Sequence, residues 1–519
     1  MMVAVMLSRV IGYLREAYIA WAFGAGPNTD AYVAAFTVPD WLNYILAGGT
    51  ASITFIAIYT RYTSKGRDRE AQEAFDSTIT IMTALVCLGT LFLEFFTPQM
   101  VHLVAPDFTA AQMERCVYLT RVLLPGQIFF YAGGIVSAVL LSRRMFLYPA
   151  LSPIFYNAFI ILGGVIGAKR YGIASLAYGA LIGAVIGPFL INAIGARQDG
   201  LRYRFNFDWH NREFREWVRL SIPLMLGVSL VTVDDWILRH FASGGAGDIT
   251  RLNYAKRLFA VPIAILGQAT GQASMPFFAR LFGEGKRKEF AETVNGSVYR
   301  ISAASFLTTA WMMPAALPLV DLVYRRGRFN FLDSRETAIY FFWFILSLAL
   351  WAAQALYARA FYAAGNTLTP MIASTVVVLV SLPIYSTLFH HHGVAGLAIA
   401  SDIGILMHTV ALAWLLNRYR LVGLRDMEWL EMMKALATAL LAGAACFAAA
   451  RVIAVNGRRS ADLLSLSLIS AVWLTTVALG LWITRSHLIR ELRRKKAPAT
   501  PNITLPEPLM ERTTGGVEP

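Results

Sequence analysis

The stretch SRVIGYLREAYIAWAFGAGPNTDAYVAAFTVP, residues 8–39, decides what kind of molecule this chain is. It reads as an apolar helix, a short polar break and the start of a second apolar run, yet the first helix carries Arg9, Arg15 and Glu16. On insertion scales each such charge costs about 2.5–3.5 kcal/mol at mid-membrane, so this helix cannot face lipid all round. Arg9, Gly12 and Glu16 share a face by the i, i+3, i+7 rule. Arg15 and Glu16 point about 100° apart on a regular helix and are not expected simply to neutralise each other. The functional reading is a water-filled, anion-binding cavity. The competing one is an internal salt bridge, or snorkelling of Arg9 and Arg15 to the cytoplasmic surface.

Working outward, the whole chain repeats that pattern of apolar runs and short breaks. Of 519 residues 57% are hydrophobic and 15% charged, with a mean hydropathy of +0.53. Ordinary globular domains carry about 25% charged residues. The expected fold is therefore an all-α integral membrane protein of about fourteen transmembrane helices of roughly 20–25 residues. The runs begin with 1–23 and 30–60, include 370–389 and 394–417, and end with 430–455 and 462–484. Loops are too short for a soluble catalytic domain, which excludes a secreted enzyme, a nucleic-acid-binding module and a disulfide scaffold. Cys87, Cys116 and Cys446 all lie in apolar stretches, so no external disulfide framework is expected. No cleavable signal peptide is visible. Only eight residues precede Arg9, few for a span, which leaves the start of the first helix open.

The formal charge of +14 is read as topology. Arg61, Lys65, Arg67 and Arg69, then Arg143 and Arg144, the arginines of 197–219, Arg280 with Lys286–Lys288, and Arg493–Lys496 fall in one alternating set of loops. The opposite set holds chiefly Arg325, Arg326, Arg328 and Arg335. Both termini are expected in the cytoplasm, with 490–519 a disordered tail. The chain also repeats itself: Arg61 before Gly66 matches Arg280 before Gly285, 219 residues later, and Pro149 matches Pro370 at an offset of 221. An even-numbered repeat keeps its orientation, so two six-helix lobes, 1–196 and 197–417, are expected around a central cavity. Residues 418–489 add two helices.

Other charges fall inside spans. Arg251, Lys256 and Arg257 open span eight, and a guanidinium fork suits phosphate oxygens; for Arg251 a solvated external loop is the competing reading. Asp30 and Asp40 flank the start of span two. Asp234 and Asp235 are expected to pair with Arg239, one turn away. Asp402 is an isolated candidate for ion coupling, and His390–His392 are expected in an exposed loop. The small residues of span thirteen, Ala435 to Ala448, suggest close helix packing.

These residues carry a family likeness. Residues 8–39 resemble the opening of the MurJ (MviN) family of lipid II flippases. APDF (105–108), LTRVLLP (119–125), FLYPALSPIFYN (146–157), NYAKRL (253–258), RRGRF (325–329) and FYAAGNTLTP (361–370) resemble later family motifs in the same order. The family belongs to the multidrug/oligosaccharidyl-lipid/polysaccharide exporter superfamily. The resemblance implies two six-helix lobes plus two helices forming a groove for a polyprenyl tail, in the bacterial inner membrane. It implies alternating-access movement of undecaprenyl-diphosphate-linked peptidoglycan precursor, with lipid II and membrane lipids as partners, ion coupling an option, and no cofactor. Arg9 and Arg15 fall on the two essential first-helix arginines, and Glu16 replaces the usual aspartate. Asp30 falls on the aspartate of TDA and Arg257 on the cavity arginine after NYA. The chain departs from the pattern at Asn43 and Tyr44, where an arginine pair is common. Gly48, Lys256 and Ala260 stand where acids are expected, and the departures put the headgroup in question.

A charged headgroup is costly to bring into hydrocarbon while its tail is not. No P-loop is present in the sequence, so energy comes from a membrane potential, an ion gradient or headgroup consumption outside. Export of another polyprenyl-diphosphate glycan is the nearest alternative, and a non-transporting scaffold a more distant one. A drug/cation antiporter calls for acidic cavity charges, and a membrane glycosyltransferase for acids in a large external loop.

Overall fold

A computed structural model describes residues 2–46, 50–225, 230–453 and 457–488. Gly48 and the tail 490–519 lie outside them. Among the described residues the apolar runs are helical and no strand occurs. The first half contains α1 (Met2–Phe23), α2 (Pro27–Ala35), α3 (Thr37–Leu46), α4 (Thr50–Thr63) and α5 (Asp68–Val104). It continues with α6 (Ala110–Leu123), α7 (Gly126–Ser142), α8 (Leu147–Tyr171), α9 (Ala174–Ala184) and α10 (Asn192–Gln198). The second half begins with α11 (Arg212–Met225), α12 (Leu230–Phe241), α13 (Asp248–Pro262), α14 (Thr270–Gly283) and α15 (Arg287–Met312). Then come α16 (Ala316–Tyr324), α17 (Phe331–Leu346), α18 (Leu348–Ala363) and α19 (Leu368–Arg418), followed by α20 (Trp429–Ala450) and α21 (Arg459–Ile483).

Among the described residues eight helical stretches are long and apolar enough to cross a membrane, or ten if two bent pairs each count as one span. The bends are 75° between α15 and α16 and 45° between α17 and α18. That is fewer than the expected fourteen, for physical reasons. Helix α1 carries three charges, and run 30–60 is interrupted at Phe36 between α2 and α3, with 47–49 outside the described residues. Helix α19 holds two expected runs: its 51 residues would reach about 76 Å at 1.5 Å per residue, more than twice a hydrocarbon core of about 30 Å. Gly393, at φ 59° and ψ −145°, kinks it between them.

Polar groups at chain turns repeat along the sequence. Capping boxes open α6 at Thr109 with Gln112 and α17 at Asn330 with Asp333, 221 residues apart. In each, the side chain and backbone satisfy one another's orphan amides. Left-handed residues recur in the same way. Gly24, Gly66, Arg144, Gly172 and Gly200 are followed by Gly247, Gly285, Gly365, Gly393 and Arg420, at offsets of 219 to 223. Arg144 standing where Gly365 later stands shows that the backbone, more than the side chain, is what repeats. Two seven-residue π segments, Val185–Ile191 and Ile263–Ala269, lie at Pro188 and just after Pro262, where proline cannot supply the regular helical bond.

The largest core joins α1–α9 with α12, α13, α16 and α17, while α14, α15, α18 and the later part of α19 enclose a second. Helices α20 and α21 pack on each other and against α15 and α16, with Ala435, Ala439, Ala442 and Cys446 buried at the contacts. The small-residue face therefore packs helices closely, as expected. Arg325 ties α21 to the bundle: its Nε is 2.6 Å from the Asp321 carboxylate and its Nη2 3.7 Å from that of Asp462.

Candidate functional site

The second half of helix α1 turns two of its charges, Arg15 and Glu16, toward the interior. Arg15 donates to the Asn157 side chain on α8 at 2.9 Å and pairs with Glu16. The expectation that Arg15 and Glu16 do not neutralise each other is corrected here. The arginine side chain is long enough to fold back across the 100° between them, and burial of both groups favours pairing. Arg257 on α13 approaches the same carboxylate from the other half of the chain, with Nε 3.8 Å from Glu16 Oε1. The two cations differ in freedom. The Arg15 side chain is 18% exposed and the Glu16 side chain 8%, whereas that of Arg257 is 53% exposed.

These three line a cavity of about 310 Å³, with Asp40, Asn43, Gln127, Tyr156, Arg239 and Asn253 among its polar walls. The size falls at the lower end of ligand pockets, roughly 300–1,000 Å³. Arginines 15, 239 and 257 outnumber Glu16 and Asp40, so the cavity is net positive. Arg239 was expected to pair with Asp234 and Asp235. It instead donates to the Thr37 hydroxyl at 2.5 Å, and Lys256 takes both aspartates. The i, i+4 spacing sets Arg239 one turn from Asp235, but an ammonium from the neighbouring helix competes better for two clustered carboxylates. Lys256 is thereby neutralised beside the cavity rather than offered to it, and Tyr385 also donates to Asp234.

The remaining expected site residues fall elsewhere. Arg9 is exposed and absent from the cavity wall. Asp30, fully buried, lies in the first turn of α2 and caps α13: its carboxylate accepts from the Gly247 and Thr250 amides at 2.5 and 2.8 Å and from the Thr250 hydroxyl at 2.6 Å. Unpaired amides at a helix N-terminus favour such an anion. The cap joins the two halves, and beside it the Arg328 amide donates to the Trp21 carbonyl at 3.0 Å. That contact needs glycine: a Cβ on Gly24, at φ 70°, would stand 2.8 Å from the Arg328 carbonyl oxygen. Arg251 is held by Asp248, Asp333 and Glu336 with its side chain 13% exposed, which corrects the solvated-loop reading. The histidines 390–392 are exposed as expected, but helical, within α19. Asp402 also lies in α19, outside the cavity wall.

Sequence reasoning did not single out Arg239, Asn43 or Gln127 as cavity groups. The Asn43 amide donates to Gln127 at 2.9 Å, so one position of the missing arginine pair forms a neutral, self-satisfied part of the wall. The neighbouring Tyr44 is half-exposed and does not line it.

The sequence model of the family described as "Lipid II flippase MurJ" matches residues 19–469. The chain belongs to the MurJ family. Similar curated MurJ relatives include a probable lipid II flippase of Rhizobium meliloti (strain 1021), 25% identical over 493 residues, 92% of this chain and 89% of the relative. A second, from Buchnera aphidicola subsp. Acyrthosiphon pisum, is 25% identical over 435 residues, covering 82% and 84%. Among solved structures, a MurJ in the inward closed conformation superposes with a TM-score of 0.77 at 20% identity, covering 95% of this chain and 99% of that one. An inward-facing multidrug resistance MATE family transporter of the MOP superfamily gives 0.65 at 16% identity, covering 81% and 96%. The MurJ likeness thus extends over nearly the whole chain, and the fold is that of a transporter rather than an enzyme.

Proposed function

We propose that this chain moves lipid II, the undecaprenyl-diphosphate-linked peptidoglycan precursor, from the inner to the outer leaflet by alternating access. The observation that carries the reading is the half-exposed Arg257 guanidinium, presented into a net-positive cavity beside the fixed Arg15–Glu16–Asn157 cluster. A permanently charged, planar fork is suited to diphosphate oxygens, and Glu16 holds it in place until a stronger anion arrives. Residues 1–196 and 197–417 act as the two lobes, a reading supported by the repeated caps and left-handed turns. Helices α20 and α21, within 418–489, hold the polyprenyl tail. Arg9, outside the cavity wall, serves as a first contact for the anionic headgroup, Asp30 serves closure, and Lys256 sets the second lobe's internal charge balance.

In this arrangement the protein lies in the bacterial inner membrane with both termini cytoplasmic. The Asp30 cap and the Trp21–Arg328 contact close the outer end. We assign candidate ion coupling to Asp402, the only acidic residue between Gly393 and Asn417. Another polyprenyl-diphosphate glycan is the second reading, favoured by the neutral Asn43–Gln127 pair. Binding separates the two. Purified protein titrated with lipid II and with a polyprenyl-diphosphate glycan lacking the peptide should prefer lipid II, and Arg257→Ala should weaken it about tenfold or more. Equal affinity for both ligands would select the second reading, and an unchanged Arg257→Ala would remove the diphosphate clamp.

A further inference from the structure

A second cationic pocket lies at the far end of span two from the Asp30 cap. Its volume is about 210 Å³, and Arg61, Tyr62, Lys65, Arg67, Arg212 and Glu216 line it. The first four come from the end of α4 and the turn after it, and the last two from the start of α11, so the pocket joins the two halves. Arg61 reaches Glu216 at 2.6 Å and Arg67 reaches Glu70 at 3.0 Å. Both guanidiniums also lie over the Tyr62 ring, with Cζ 5.4 and 4.9 Å from its centroid. Lys65 and Arg212 are exposed and form no ion pair among the described residues. Four cations thus surround one lining carboxylate.

The internal repeat supplies a control. At an offset of 219, Arg61, Lys65, Gly66 and Arg67 correspond to Arg280, Glu284, Gly285 and Lys286, and both glycines are left-handed. In the second copy Glu284 neutralises Arg280 at 2.8 Å and Lys286 at 2.9 Å, and the two cations hold its carboxyl below the usual range. That is the self-sufficient form of this turn. In the first copy the neutralising acid is a lysine, so the turn concentrates positive charge instead of cancelling it. Next to the pocket, the extended segment 201–211 is fixed to α5 by Arg204 N–H donating to Asp76 at 3.0 Å and Asn206 donating to Ser77 at 2.8 Å. It leaves Tyr203 and Trp209 exposed, the residue types that sit at headgroup level. Basic pockets between helices at that level take lipid phosphates.

We propose that this pocket binds the phosphate of a membrane lipid, which bridges the two halves of the chain at this end. The phosphate has two chemical sources: an anionic phospholipid, or the diphosphate of a polyprenyl lipid held apart from the central cavity. The proposal stands whether or not the central cavity carries lipid II.

Native mass spectrometry of the full chain tests it, with phosphatidylglycerol and undecaprenyl diphosphate titrated separately. Both titrations use an Arg257→Ala background, in which the central site is weakened. Lys65→Glu, which copies the neutral turn, should weaken binding about tenfold, and Arg212→Gln should do so to a lesser degree. Lys286→Glu, in the second copy, should have no effect. Loss confined to phosphatidylglycerol identifies a phospholipid site; loss confined to undecaprenyl diphosphate identifies a docking point for the polyprenyl lipid. Unchanged binding of both lipids in Lys65→Glu and Arg212→Gln overturns the proposal. Both side chains are exposed, and an unshifted melting temperature confirms that the variants fold.

Discussion

Arg15 and Arg257 touch the same carboxylate but answer to different physics. Arg15 is nearly enclosed, so Arg15→Ala leaves the buried Glu16 with only the half-exposed Arg257, 3.8 Å away, as counter-charge. Loss of one partner of a buried pair costs about 3–5 kcal/mol, and a marked drop in melting temperature is expected along with loss of transport. Arg257 is half-exposed, and screening leaves its pairing worth within about 1 kcal/mol. Arg257→Ala should therefore melt nearly as the parent does and still fail in transport. Thermal unfolding measured beside lipid binding separates the two roles, and equal destabilisation by both variants would refute them. The sequence made Arg15, Glu16 and Arg257 legible because a charge within an apolar run demands an explanation. It did not reveal which partner each would choose. Lys256 took the aspartates expected for Arg239 because that competition is settled between helices, beyond the reach of i, i+4 spacing.

Among elements, the two decisive contacts are each made by one side chain holding a helix end. Asp30 caps α13 from α2, so Asp30→Ala leaves the Gly247 and Thr250 amides without their acceptor, at a cost of about 2 kcal/mol. Spin labels at Asn28 and Ala246, both exposed, should then show a longer distance distribution; an unchanged one would mean that the cap does not govern closure. Arg325 holds α21 to α16 through Asp321 and Asp462, both buried. Arg325→Ala should destabilise the protein by about 3–5 kcal/mol, with amide exchange rising first at the start of α21. Uniform exchange across the fold would argue against a local tether. Helix positions were readable from apolar runs and from Pro149 and Pro370. The interruption of run 30–60 at Phe36 and the bend between α17 and α18 were not, because tertiary packing decides where a long apolar segment yields.

At the scale of the molecule, the repeat and the charge pattern account for most of what composition announced. A formal charge of +14 resolves into loop cations, internally neutralised pairs, the central cavity and the pocket at the end of α4. The repeated capping boxes and left-handed turns give two halves of one design, and the cavity lies where α1 and α13, one from each, bring their charges together. The central claim is that this cavity carries a lipid-linked diphosphate across the membrane. It is tested most directly in a bacterium depleted of its own MurJ, by the exposure of lipid II at the outer leaflet. Expression of this chain should restore exposure and growth, and Arg257→Ala, inserted at the same level, should restore neither. Full restoration by Arg257→Ala, or no restoration by the parent chain when inserted normally, would contradict the account.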